Sequence, residues 1–108
     1  FHVKWKHPAT TTNFGAVWSV RAVALGAGEA LATSYGTAQT STDTGGATDT
    51  VYSSPESSAI TIANTPATRD LVFLELRRKP SDGSDTMAVA AHLLSVTVSM
   101  TTNADTDA

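Results

Sequence analysis

Ala59-Ile60-Thr61-Ile62-Ala63, Asn64-Thr65-Pro66-Ala67-Thr68-Arg69-Asp70 and Leu71-Val72-Phe73-Leu74-Glu75-Leu76-Arg77-Arg78 form one continuous stretch of the chain. Two apolar or β-branched runs flank a polar cluster that contains a proline. That order reads as strand, turn, strand. Alternation within the second run sends Val72, Leu74 and Leu76 to one face and Phe73, Glu75 and Arg77 to the other. The first set is expected in a core, where a buried Leu74 would cost about 2–5 kcal/mol on truncation to alanine. Phe73 on the opposite face is anomalous for a solvated surface; cover from a loop and contact with another subunit both account for it.

The same period-two pattern recurs in both directions. Phe1, Val3 and Trp5 alternate with His2, Lys4 and Lys6 before Pro8 ends the run. Ala9 to Gly15 reads as a Thr-rich loop. Ala16–Leu25 reads as a second strand with Trp18, Val20, Ala22 and Ala24 on the core face, because Arg21 marks the other face as the outer one. Glu29–Tyr35 is long enough for one helical turn. Gly36–Thr44 alternates in threonine, and Thr48–Ser53 centres a short strand on Val51 and Tyr52. Ser58–Ala63 and Leu71–Arg78 are the strands of the opening stretch. Lys79–Asp85 is a loop by composition. Thr86–Leu94 fits helix by propensity or strand by position, and Val96–Met100 alternates cleanly. These seven to eight short strands predict an all-β antiparallel sandwich over residues 1–100, followed by a polar tail at 101–108.

Composition agrees. The chain has 108 residues, enough for one domain with a core. Charged residues make up only 16% and the formal net charge is −3, which disfavours nucleic acid as a partner. Lys4 with Lys6, and Arg77-Arg78-Lys79, read as solvated strand ends. There is no cysteine, so disulfides and thiolate metal sites are excluded. No apolar run approaches the ~18 residues of a membrane-spanning helix, and no membrane partner is expected. No signal peptide is visible; together with a first residue other than Met, this reads as a processed chain or a module cut from a longer one.

No catalytic constellation stands out. His2, His7 and His92 read as surface or hydrogen-bonded histidines. Asp82-Gly83-Ser84-Asp85 lacks the ligand spacing of a calcium loop and reads as a turn. No Gly-x-Ser-x-Gly elbow or phosphate-binding glycine loop occurs. Glu75 has Arg77 as a same-face neighbour, which makes a surface ion pair. No metal, cofactor or enzymatic activity is expected. Among the aromatic residues, Trp18 belongs to the core, whereas Tyr35 and Tyr52 border loops and are the candidates for packing against a host-surface glycan.

Trp5-x-x-Pro8-Ala9-Thr10-Thr11-Thr12, Gly15-Ala16-Val17-Trp18, Leu25 with Gly28–Leu31, Ala59–Ile62, Asp70–Phe73, Arg78, Asp85-Thr86 and Leu93-Leu94, taken in order, resemble a β-sandwich module of tailed-bacteriophage virion surface proteins. The resemblance implies a jelly-roll-like fold in a fibre, knob or head-decoration (capsid decoration) protein, assembled as a homotrimer with other virion proteins as partners. It also implies that Arg78 pairs with Asp85 and clasps the intervening loop. The chain departs from the pattern at Ala90-Ala91-His92, where the family tends to show Asp-Ala-Arg. On this reading Phe1, Val3 and Phe73 are the candidate subunit contacts, and the protein is a non-enzymatic component of a virion surface. A carbohydrate-binding module of a tail fibre or spike is the rival expectation.

Overall fold

The computed structural model describes residues 1–8 and 14–100; the Thr-rich loop assigned around residues 9–13 and the tail at 101–108 lie outside the described residues. Seven strands follow in order: β1 (His2–Lys6), β2 (Phe14–Leu25), β3 (Gln39–Gly45), β4 (Tyr52–Ser53), β5 (Ile62–Ala63), β6 (Leu71–Arg78) and β7 (His92–Thr97). No helix occurs among the described residues, so neither Glu29–Tyr35 nor Thr86–Leu94 is helical. Met87 instead enters the core, and the second half of Thr86–Leu94 becomes the start of β7.

Two sheets pack face to face as a β-sandwich. One has the order β4-β1-β7; in the other, β2 carries β3 and β5 along one edge and β6 along the other. The pairing is antiparallel except for the short β2–β5 match. The chain crosses between sheets at β1–β2, β3–β4, β4–β5 and β6–β7. The β2 strand of 12 residues is long enough to serve two partners in succession on one edge.

The core is aromatic. Phe1, Val3 and Trp5 of the first segment face Phe14, Ala16, Trp18 and Val20 of β2, with Met87 completing the cluster. Trp5 sits at its centre, with ring centroids 5.2 Å from Tyr52, 6.1 Å from Phe14 and 6.3 Å from Trp18. The Trp5 indole N–H donates to the Asp43 carboxylate at 2.9 Å, so the ring is buried without orphaning its donor. His7 is fully buried, edge-on to Phe14 at 4.8 Å and stacked on Tyr52 at 6.1 Å. Neither of its ring nitrogens has a hydrogen-bond partner among the described residues, so it is not the surface or hydrogen-bonded histidine expected. It is held by the aromatic rings around it.

Two further expectations need correction. The outer face of β2 was expected to be solvated, yet Val17, Ser19, Val23 and Leu25 are buried and only Arg21 is partly exposed. The β2–β3 connection folds back along the strand: Tyr35 lies under Arg21, and the Gly36 N–H donates to the Ala22 carbonyl. On β6 the side assignment holds, because Val72, Leu74 and Leu76 stand opposite Ala24, Ala22 and Val20 on the inner face. Their burial does not hold. Leu74 is 47% exposed and Val72 is 40% exposed; only Leu76 packs against the core. Val72 and Leu74 instead line an open cleft.

This geometry separates two substitutions that the chain pattern treats alike. Trp5→Ala is expected to cost about 3–5 kcal/mol. Leu74→Ala is expected to cost under about 1 kcal/mol in dilute solution, well below the core value. Urea unfolding of both variants at low protein concentration measures the difference.

Candidate functional site: the clasp and the open side

The inner layer of the sandwich is closed at one end by a strap, residues 79–91, that leads from β6 to β7. Its anchor is Asp85, whose side chain is fully buried. Arg78 donates to it twice, from Nε at 3.0 Å to Oδ2 and from an Nη at 2.6 Å to Oδ1. The guanidinium spends its remaining donors on the strap backbone, reaching the Met87 carbonyl at 2.6 Å and the Val89 carbonyl at 2.7 Å. Asp85 Oδ2 also accepts the Val17 N–H at 2.9 Å. Lys79 occupies the place opposite Val17 and donates its N–H to the Val17 carbonyl, so the carboxylate takes the acceptor role that a strand carbonyl would have filled. Next along β2, the Thr86 hydroxyl accepts the Gly15 N–H and the Thr86 N–H donates to the Gly15 carbonyl. A Cβ at position 15 would collide with the Ser84 carbonyl oxygen, which is why glycine stands there.

Burial pushes the Asp85 carboxyl upward. The Arg78 hydrogen bonds, the Val17 N–H, the Arg78 charge and the Met87 N–H together outweigh it and hold the group below the usual carboxylate range. The pairing implied by the resemblance is therefore present, and it orders a loop. Asp82-Gly83-Ser84-Asp85 is a turn within this strap, with the Ser84 N–H on the Asp82 carboxylate. Arg78 points inward, so Arg77-Arg78-Lys79 is not a continuous basic patch.

At the other end of the inner layer no strap intervenes. A cleft of about 730 Å³ opens there, walled by Ile62, Val72 and Leu74 from one sheet and by Phe1, just before β1, and Val98 and Met100, just after β7. Serines 57, 58 and 99 and Glu56 contribute its polar lining. Every residue of β7 is exposed, including Leu93 and Val96, which stand opposite the buried Trp5 and Val3 and so share their inner face. A register irregularity between Lys4 and Trp5 leaves Leu94 as the extra residue of the pair. Leu93, Leu94 and Val96 are 46%, 48% and 43% exposed.

The remaining expected site residues are dispersed. Phe1 and Val3, expected at a subunit contact, are 5% and 0% exposed and belong to the core; their side chains are not a free surface of this chain. Phe73 is half-buried on the outer face of β6. Tyr35 has one ring face covered by the Arg21 guanidinium, 4.6 Å from its centroid. Tyr52 packs its ring on Trp5 and His7, donates its hydroxyl to the Ala47 carbonyl and accepts the Gly46 N–H. It braces the β3–β4 turn from inside, which removes it as a free glycan platform. Trp18 is buried as expected. Glu75 takes Arg21 as its main partner, at 2.7 and 3.1 Å, with Arg77 only at 3.9 Å. The Arg21 hydrogen bonds lower the Glu75 pKa. Among the described residues no three metal-capable side chains converge.

Sequence reasoning missed the open side, because alternation assigns a face and says nothing about what covers it. It also missed the strap as a core element; Met87 and Val89 were the available signal, two apolar residues at period two directly after the loop.

Arg78→Met would strand a buried carboxylate and is expected to cost about 3–5 kcal/mol. The depressed Asp85 pKa means that its stabilisation is full above the unfolded-state value near about 3.9 and is lost as pH falls through that value toward the folded one. Denaturant midpoints measured between neutral pH and pH 3 should therefore fall more steeply for the natural chain than for Asp85→Asn. Equal slopes would show that the clasp carries no linkage. No family model matches the chain, and no match was found among curated proteins or among solved structures.

Proposed function

We propose that this chain is a non-enzymatic structural module that works by associating with copies of itself, as a jelly-roll-like component of a virion surface. The observation that carries the reading is the open side: an interior-facing apolar layer, from Val72 and Leu74 to Val98 and Met100, left uncovered in an otherwise packed sandwich. Leaving such a layer in water forfeits the hydrophobic gain of burial, ~25 cal/mol per Å². A second copy recovers it. The virion setting and a count of three come from the family resemblance and from nothing else.

Support for display rather than catalysis lies in how the polar groups are used. Arg78 gives four N–H bonds to Asp85 and the strap carbonyls, Asp85 also accepts the Val17 N–H, and neither side chain lines the cleft. The cleft that does exist is lined by aliphatic side chains and serines, with Glu56 as its one acid.

Light scattering on the purified chain tests the proposal. A mass at a multiple of 11.2 kDa is expected at micromolar concentration. A monomer at all accessible concentrations overturns it. A glycan array read with the natural chain and with Tyr35→Ala separates the rival: binding that disappears in the variant favours carbohydrate recognition, and a blank array favours assembly.

A further inference from the structure

We infer that the free edge of β6 pairs antiparallel with β6 of a second copy, across a twofold axis at Leu74, so that two open clefts close on each other. The inference rests on the self-association reading and specifies its symmetry, which differs from the threefold count implied by the resemblance.

The two sides of the sandwich are built differently. On one side β4 has two residues, and β3 is a Thr/Asp-rich strand, Gln39-Thr40-Ser41-Thr42-Asp43-Thr44-Gly45. Short length and polar composition are the usual means of keeping a sheet edge from pairing. On the other side β6 has eight residues, apolar from Leu71 to Leu74 and at Leu76, and β7 has six, with Leu93, Leu94 and Val96 apolar. Each has one partner strand and therefore one free edge. A long, apolar, unprotected edge is a template for strand addition.

The direction of the β6 amides follows from its ladder. Lys79 donates to the Val17 carbonyl at 2.8 Å, and Arg78 stands opposite Trp18. Bonded and non-bonded pairs alternate in an antiparallel ladder. The odd-numbered residues of β6 therefore bond β2, and the N–H and C=O groups of Val72, Leu74 and Leu76 point toward the free edge. The same three residues turn their side chains to the inner face. One element thus offers both the backbone bonds and the apolar surface a partner needs.

The occupant that fits is β6 itself. With Leu74 on the axis, Leu74 meets Leu74 of the other copy, and Val72 meets Leu76. Every inner-face pair is apolar. On the outer face Phe73 meets Glu75 and Leu71 meets Arg77, so no like charges oppose each other. Leu74, 47% exposed, lies at the centre of this contact, with Val72, 40% exposed, two residues from it. A self-complementary patch of this kind closes as a twofold, the commonest symmetry of soluble oligomers.

The natural chain has no cysteine, so a single introduced thiol reports cleanly. Leu74→Cys places two thiols with Cβ atoms about 5 Å apart in the pair. Treated with a short bifunctional thiol crosslinker at micromolar concentration, it is expected to form covalent dimer at least about tenfold faster than Val51→Cys, an exposed control beside β4, because pairing raises the effective concentration. Leu74→Lys is expected to give a monomer by light scattering with an unchanged strand-type circular dichroism spectrum, since the side chain is already half exposed in the single chain. A natural chain that stays monomeric overturns both this inference and the self-association reading. An assembly, threefold or otherwise, in which Leu74→Cys crosslinks no faster than Val51→Cys, or which survives Leu74→Lys, leaves self-association standing and overturns the β6 pairing.

Discussion

The ion pair between Arg78 and Asp85 is the constraint on which the rest of the sandwich depends. A strand that ends in an inward-facing arginine cannot lie over an apolar core unless the charge is met. Asp85 meets it, and in the same place supplies the acceptor that Val17 lacks once β6 has ended. The guanidinium then holds the carbonyls of Met87 and Val89, which drives Met87 into the core and sets the course of the chain toward β7. A planar group with five donors in a fixed fork suits this task, where lysine would supply one charge and no fork. One buried pair thereby joins the two sheets, positions β7 and closes one end of the inner layer.

The same arrangement accounts for the opening at the other end. The strap is held at the Arg78 end, and β7 then runs antiparallel to β1. Nothing analogous to the strap returns over Val72 and Leu74. The sandwich is therefore tight around Trp5, Phe14 and Trp18 and open around Val72, Val98 and Met100. The aromatic end holds the fold, and the aliphatic end leaves apolar side chains exposed.

Much of this architecture was legible in the chain. Leu71–Arg78 is a strand over the residues that its alternation marks, and Val72, Leu74 and Leu76 share the inner face. Trp18 and Val20 are in the core, as the position of Arg21 indicates. Each success concerns which way a side chain points, a property that the pleat settles locally. The failures concern what lies opposite. Phe1 and Val3 were assigned to a subunit contact and are covered by β2; Tyr52 was assigned to a surface and is packed against Trp5 and His7. His7 was read as a surface or hydrogen-bonded histidine, and its burial is created by Phe14 and Tyr52, residues of β2 and β4.

The chain by itself determined an all-β sandwich, the positions of β1, β2 and β6 and the facing of most side chains, because backbone alternation and turn chemistry act over a few residues; the strands expected at Ser58–Ala63 and Val96–Met100 hold only at Ile62–Ala63 and Val96–Thr97, and β7 begins earlier, at His92. Only the tertiary structure decided which inner faces are covered. Coverage depends on how far one sheet extends over the other, and that extent is set by the register of β1 with β7 and by the clasp at Arg78, both of them contacts between residues far apart in the chain.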